Sequence, residues 1–447
     1  MKKSRTRTKL FQQAVGRHGF TASAIQKYAE GCRDSCWIGE HLGSHDTQTT
    51  SLRAFRAVQQ YSLGKKGRPR FKGKNRLHSI EAKEDAVILF RREPVLAIHW
   101  RGLVMPLLLD PKDNRGWQSQ ALACRTKYVR ILRREIKGRI RWFAQLIQEG
   151  TSPRIRETGE GVVGLDLGPS AIAAVSSGDA ILEKFCPGVE QPWKELRRIE
   201  RAMERSRQAT NRENYEERGC AKKGRRKWNQ SHRYRELAQK RRERERRLGA
   251  ERKRAHGELA NRILGQGVEI RTEQLSYRSL QKNYGRSVKV RGPGLFVSTL
   301  KRKAASAGGE VVELPTKLRL SQFDHSSGEY VKKPMNQRVH VFASRGMEPV
   351  QRDLYSALLA QCCSKDHLDI CQVAETWPAA EPLLRRAMAR AKEPASGPGF
   401  ALSCVLSNAR VGRPSKRDAD SCEAVDAVAQ ARAAESTNLD ILRTPGL

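Results

Sequence analysis

The chain has 447 residues, 38% hydrophobic, 6% aromatic and 30% charged, and its 86 Lys and Arg against 48 Asp and Glu leave a formal net charge of +38. That length exceeds one simple core and points to two or three domains, while so large a single-sign excess repels itself until a polyanion neutralises it. No apolar run is long enough to span a bilayer and none reads as an interfacial anchor, so nucleic acid is the expected partner and a membrane is not.

The basic start, Met1-Lys2-Lys3-Ser4-Arg5-Thr6-Arg7, is followed by no secretory apolar stretch, and a soluble intracellular protein is expected. Cysteines at 32, 36, 124, 186, 220, 362, 363, 371, 404 and 422 fit a reduced cytosol better than a disulfide framework. Cys32 and Cys36 would supply half a zinc site, but no second pair accompanies them, and free or buried thiols are the preferred reading.

In chain order, the alternation over Ser4–Leu10 predicts a short strand, and the spacing of Ala24, Ile25, Tyr28, Leu52, Phe55, Val58 and Tyr61 predicts helices from about Thr21 to Leu63. The run Gly64-Lys65-Lys66-Gly67-Arg68-Pro69-Arg70-Phe71-Lys72 cannot pack. Lys65, Lys66, Arg68, Arg70 and Lys72 are candidate backbone-phosphate contacts, the alternative being a solvated linker. Short apolar stretches at Ala86–Phe90, Val95–Ile98 and Leu103–Met105 predict strands. Tyr128–Leu132 and Ile140–Ile147 read as a hairpin turning at Lys137-Gly138, where Gly138 supplies a positive φ. The order suggests a small β-barrel or curled sheet interrupted near its start by the helical block, with Thr151–Glu160 as a linker.

Strands are predicted at Val162–Leu167 and about Ala171–Val175, then a long charged helical stretch from Trp193 to about Leu264. Between Lys194 and Arg254 stand 24 Lys and Arg against 10 Asp and Glu, more than i,i+4 pairing absorbs. A solvated helical hairpin is the plain reading. The cluster Lys222, Lys223, Arg225, Arg226 and Lys227 favours a nucleic-acid face. A strand at Val268–Thr272, a helix near Leu295–Ala307, a strand at Glu310–Leu314 and a helix opening near Asp353 follow. The Ala-, Ser-, Gly- and Pro-rich tail beyond about Ala391 is expected to be largely disordered.

Three acids end strands or open a helix in this basic chain: Asp166, Glu273 and Asp353. Phosphodiester hydrolysis needs an activated water and stabilisation of charge on attacking and leaving oxygens, which two divalent ions supply. Hard Mg²⁺, or Mn²⁺, takes carboxylate and water oxygens and needs no His or Cys. Taken singly, each acid also reads as a turn, cap or surface pair.

The words around these acids carry more. Gly164-Leu165-Asp166-Leu167-Gly168, Arg271-Thr272-Glu273-Gln274-Leu275 and Gln351-Arg352-Asp353-Leu354-Tyr355-Ser356-Ala357 resemble the three RuvC motifs of the TnpB family. These are compact RNA-guided nucleases of small insertion sequences, related to miniature type V CRISPR effectors. The resemblance covers roughly Lys3 to Ala360. It implies an α/β multidomain protein with an RNase H-like RuvC nuclease domain bearing a long basic helical insert, preceded by a β-barrel wedge domain interrupted by a helical recognition lobe. On that plan residues 1–20 and 76–150 form the wedge, 21–75 the lobe, 151–160 a linker, 161–361 the nuclease and 362–447 a C-terminal extension.

By the same resemblance, Asp166, Glu273 and Asp353 would hold two Mg²⁺ ions and Arg352 would orient Asp353 or meet phosphate. The partners would be a guide RNA (a non-coding RNA or a CRISPR RNA) and double-stranded target DNA with a short flanking motif, in the cytoplasm and nucleoid of a prokaryote. TnpB proteins usually carry a zinc-binding insert between the second and third acids. Here, within residues 316–350, Ser321-Gln322-Phe323-Asp324-His325-Ser326-Ser327-Gly328 keeps the frame but places Asp324 and Ser327 where the thiolates would stand, so no zinc is expected. The Asn usual two residues after the third acid is Tyr355. Three readings follow: an RNA-guided DNA endonuclease, either transposon-associated or a compact CRISPR effector; an RNA-guided DNA-binding protein that represses transcription without cutting; and a generic basic RNA-binding protein with structural acids.

Overall fold

The computed structural model describes residues 2–392 apart from 72, 74–76, 84–87, 114–115, 151–156, 225, 335–336 and 365. The tail predicted to be disordered lies outside the described residues, as does most of the predicted linker. The chain divides into two units, one holding Met1–Pro153 and the other built within Arg154–Ser436.

The first unit opens with helices α1 (Lys2–His18), α2 (Ala22–Asp34), α3 (Ile38–His41) and α4 (Ser44–Ser62). The strand predicted at Ser4–Leu10, and with it a β-segment over 1–20, is therefore corrected to helix. The period-two alternation there involves polar residues up to Lys9, and Leu10 stays exposed. The side chains of α1 that become half-buried, Phe11 and Val15, are one helical turn apart. Phe11 meets Phe20 edge-on at 6.3 Å, and Phe20 packs on Phe55 of α4 at 5.1 Å. Thr21 caps α2 by accepting from the Ala24 amide at 3.1 Å.

All described strands of this unit follow the helices, so the helical block precedes the β-region rather than interrupting it. These are β1 (Ser79–Lys83), β2 (Ile88–Arg91), β3 (Ala97–Trp100) and β4 (Leu103–Pro106), then a short helix α5 (Trp117–Ala123), then β5 (Thr126–Ile136) and β6 (Arg139–Gln148). They form two three-stranded sheets, β1-β5-β6 and β2-β3-β4. No hydrogen-bonded ring closes among the described residues, so the expected barrel is corrected to two sheets sharing one core of Ala82, Ile88, Phe90, Ile98, Val129 and Ile131. The β5–β6 hairpin turns at Lys137 and Gly138, both with positive φ (50° and 77°), which matches the right-handed twist of the strands.

The second unit is built on a five-stranded sheet of β7 (Val162–Leu167), β8 (Ala171–Val175), β9 (Ala180–Lys184), β10 (Glu269–Glu273) and β11 (Glu310–Leu314), in the order β11-β10-β7-β8-β9. β7, β8 and β9 run antiparallel in turn, whereas β10 is parallel to both β7 and β11. Side-chain alternation divides the two faces. Val163, Leu165, Leu167, Ile172, Ala174 and Ile270 pack towards α7 (His232–Leu264) and α9 (Pro293–Ala307). Ala173, Val175, Leu182 and Leu314 pack towards α10 (Arg352–Gln361) and α11 (Ile370–Lys392).

The long charged stretch is two helices, α6 (Trp193–Thr210) and α7, broken at 211–231. A helix absent from the sequence reading, α8 (Tyr277–Arg291), precedes α9. The boundary predicted at 361 is also corrected. Val373, Trp377, Ala380, Leu384 and Ala387 of α11 lie in the same core as α10, because helix α11 covers apolar surface that α10 alone leaves open. Between β11 and α10 the insert forms the pairs β12 (Phe323–Asp324) with β13 (Glu329–Tyr330) and β14 (Val339–His340) with β15 (Val350–Gln351).

Candidate functional site

Asp166 lies one residue from Leu165 on central strand β7, and alternation turns it away from the Val163–Leu165–Leu167 face. The β10–β7 pairing runs to Thr272 opposite Leu165, which sets Glu273 beside Asp166. Arg271, two residues before Glu273 and on the same face, reaches α10 by donating to the carbonyls of Gln361 (2.9 Å) and Cys363. Asp353 is in the first turn of α10, where a carboxylate favours the helix dipole. Two acids distant in sequence thus stand on neighbouring strands, with a third at the start of the helix packed against them.

Burial holds the Asp166 carboxyl well above its ordinary range, and the neighbouring Asp353 and Glu273 push it further, against Arg352 and Arg338. The side chain keeps some exposure to solvent, but the protein around it is dense enough for desolvation to dominate. Burial also raises Glu273, opposed by the Leu320 amide that donates to its Oε1 at 3.2 Å. Arg352 Nε stands 3.7 Å from Asp353 Oδ1.

Helix α10 is fixed against the sheet at several points. A Cβ on Gly164 would fall 1.8 Å from the Ala357 carbonyl oxygen and 2.5 Å from the Gln361 amide, so only glycine lets the helix lie this close to β7. Arg271 clamps its C-terminal end. At its N-terminal end the Gln351 side chain accepts from the Leu354 amide at 2.8 Å.

Without thiolates, the insert is closed by hydrogen bonds. Asp324 Oδ1 accepts from the Ser326 amide (2.9 Å) and hydroxyl (2.8 Å), and its Oδ2 accepts from the Ala343 amide (2.9 Å). Burial opposes ionisation of this carboxyl, but the bonds from Ser326 and Ala343 prevail and hold it below the usual value. Sequence reasoning had noted Asp324 only as a missing thiolate.

Of the predicted phosphate contacts, Lys65, Lys66, Arg68 and Arg70 are exposed on irregular backbone after α4, and Lys72 lies outside the described residues. Lys223, Arg226 and Lys227 are exposed between α6 and α7. Lys222 is half-buried and donates to the Glu213 carbonyl at 2.9 Å, and Arg225 lies outside the described residues. That connection is ordered from within. Asn211 Nδ2 donates to the Arg207 and Asn229 carbonyls, Asn214 donates to the Lys227 carbonyl, and buried Arg207 donates to the Tyr215 hydroxyl at 2.6 Å beneath Trp228.

Two further sets of residues escaped the sequence reading. Arg338 is close enough to Asp166 to lower its carboxyl. On β6, Trp142 (64% exposed) and Phe143 (41% exposed) are adjacent in the strand and so point to opposite faces, with Arg139 and Arg141 alongside and Arg134 over the Phe143 ring at 5.6 Å. Consecutive aromatics among arginines in a strand were the available signal, since a sheet with one buried face would hide one of the pair.

Three carboxylates without His or thiolate are hard oxygen donors and fit Mg²⁺ or Mn²⁺, and a cation would relieve the repulsion that raises Asp166. Among the described residues no three His, Cys, Asp or Glu side chains already form a closed ligand cluster. Asp166 and Glu273 lie on paired strands and Asp353 opens the helix packed on them. No helix among the described residues is long and apolar enough to cross a membrane.

No protein-family model matches the chain, and no curated protein matches it. Among solved structures, the chain is similar to one in a cryo-EM structure of a Cas12f1–sgRNA–target DNA complex, with 13% identity and a TM-score of 0.43 over 80% of this chain and 79% of the other. It is also similar to one in a CRISPR-Cas12f ternary complex, with 13% identity and a TM-score of 0.28 over 80% of each chain.

Proposed function

We propose that this protein is an RNA-guided DNA endonuclease that hydrolyses phosphodiester bonds of target DNA at the carboxylates of Asp166, Glu273 and Asp353. The observation that carries the reading is the placement of Asp166 and Glu273 on paired strands beneath the helix that Asp353 opens, a setting in which burial and the two remote acids raise the Asp166 carboxyl. A fold gains nothing from crowding like charges in a desolvated place, so the arrangement favours cation binding over a structural role. The mixed sheet with its first acid on the central strand supports the RNase H-like part of the reading.

Asp166, Glu273 and Asp353 would hold two Mg²⁺ ions, which when bound supply charge stabilisation to the attacking and leaving oxygens. Arg352 and Arg338 would meet the scissile phosphate. Base pairing with a guide RNA would select the DNA. The exposed Lys and Arg after α4 and between α6 and α7, with the aromatics and arginines of β6, would hold RNA and DNA backbone and bases. Transposon-associated TnpB-like and compact type V effector versions share this chemistry.

The protein purified with its own RNA should cut DNA matched to that RNA in Mg²⁺. Asp166→Ala should lower cutting by about a thousandfold, the scale on which removing an essential electrostatic group acts, while RNA affinity stays within about twofold, as for a residue that contacts no RNA phosphate. Equal loss of both activities would remove the site from the mechanism. A second reading, guided DNA binding that represses transcription without cutting, is favoured by Asp324 and Ser327 in place of the thiolates of the insert and by Tyr355 in place of the usual Asn. Tight binding of matched DNA with no cutting at saturating Mg²⁺ would select it.

A further inference from the structure

Resting on the carboxylate-site reading, we propose that Tyr355 is a positioning residue: its phenol, held by His325, joins the insert to α10 and sets where Asp353 stands against Asp166. Tyr355 is fully buried, and its hydroxyl accepts from the His325 amide at 3.0 Å and lies 2.8 Å from His325 Nδ1. With the amide already donating to the phenol oxygen, the phenol proton is left for Nδ1. That pairing requires a neutral imidazole protonated at Nε2. Burial lowers His325 below its usual value, which keeps it neutral.

The rest of the surroundings fix both partners. The His340 ring stands 4.2 Å from the Tyr355 ring, with Phe342 edge-on at 5.3 Å and Trp377 of α11 edge-on at 6.1 Å. His325 itself packs 4.8 Å from Trp377, and its chain neighbour Asp324 pins the 324–326 turn to Ala343. The insert, α10 and α11 therefore converge on one phenol.

Two residues along a helix is about 200° of rotation. Asp353 and Tyr355 consequently leave nearly opposite sides of the first turns of α10, and a shift of the phenol on the buried side rolls the carboxylate on the open side. The Gly164 and Arg271 attachments lie further along the helix, and the Gln351 cap and the β14–β15 pair hold the backbone at its start, so Tyr355 is the polar side-chain anchor nearest Asp353 on the buried side. The hydroxyl matters because aromatic packing alone permits the ring to slide, whereas a bond to a backbone amide sets a distance.

The test compares the full chain, carrying its own RNA, with its Tyr355→Phe variant, which deletes only the hydroxyl and retains the buried volume. Cutting of matched DNA is measured across Mg²⁺ concentrations, with Mn²⁺ uptake and RNA affinity measured in parallel. Tyr355→Phe should cut about tenfold more slowly at saturating Mg²⁺ and need several-fold more Mg²⁺ at its midpoint, the scale typical of groups that orient metal ligands. RNA affinity should not change. His325→Ala should match it, His325→Asn should restore most of the rate by offering an acceptor to the phenol, and His325→Ala/Tyr355→Phe should be no worse than either single change. A wild-type rate and midpoint in Tyr355→Phe, or losses that multiply in the double variant, would overturn the proposal while leaving the carboxylate site standing. Failure of the unaltered chain both to cut and to take up Mn²⁺ would instead remove that site and the role of Tyr355 with it.

Discussion

The sheet face beneath α10 and the connection between α6 and α7 both gather like charges, and they hold them by opposite means. Beneath α10, Asp166 is desolvated with Asp353 and Glu273 beside it, and Arg352 and Arg338 only partly offset the repulsion. Backbone geometry imposes that arrangement: one strand register, one glycine contact and one helix start. Between α6 and α7, Lys223, Arg226 and Lys227 extend into water, where like charges are screened and cost the fold little. The order of that segment comes from Asn211, Asn214, Arg207, Tyr215 and Trp228 instead. Charge that opposes folding is thus built into the core of a domain, and charge that folding ignores is displayed on a scaffold of other residues.

The contrast breaks most readily at Gly164. Gly164→Ala should force α10 off β7, costing about 3 kcal/mol or more, the upper range for overpacking, and should abolish cutting. Thermal melting and the cleavage assay check this together. A variant of near-wild-type stability and activity would mean that backbone contact does not hold the acids together.

On the displayed side, changing Lys223, Arg226 and Lys227 together to Ala should flatten the salt dependence of RNA binding by about 2 in log–log slope, as expected for three lost phosphate contacts on single strands. Tm should be almost unmoved. A large fall in Tm with an unchanged slope would reverse the assignment and make those cations structural.

The smallest expected effect runs against intuition. The folded Asp166 carboxyl is raised, so between the unfolded and folded values the native state binds more protons than the unfolded one, and stability falls as pH rises through that window. In metal-free buffer at pH 8, Asp166→Asn should therefore raise Tm by about 2–4 °C, the shift that about 1 kcal/mol produces in a domain of this size. The gain should shrink as pH falls and vanish below about pH 3, where the carboxyl is protonated in both states. Mg²⁺ should then stabilise the unaltered protein and not the variant. Destabilisation by Asp166→Asn at pH 8 would count against a strained carboxylate cluster.

Much of the second unit was legible because its signals are local. Val162–Leu167, Ala171–Val175 and Glu310–Leu314 are short apolar runs bounded by polar or glycine residues, and they are strands over those same residues. The β5–β6 turn followed from Gly138, although the positive φ at Lys137 had no sequence cue. Ser4–Leu10 misled because polar alternation imitates a strand, while Phe11 and Val15, which decide its fold, lie just beyond it. Helix α11 was missed because its apolar residues sit among Ala, Pro and charge and gain meaning only once α10 is there to be covered.

The sequence by itself determined the chemistry available: an excess of cations able to hold a polyanion, three acids in recognisable settings, and no thiolates in the insert. Tertiary structure alone decided that Asp166 and Glu273 stand on neighbouring strands beneath the helix that Asp353 opens, that Asp324 closes the insert with hydrogen bonds, and that Tyr355 meets His325. The physical reason is separation. Residue type sets what a group can donate, accept or bind, but the energies of burial, repulsion and hydrogen bonding depend on distances between groups that lie up to 187 positions apart along the chain, from 166 to 353.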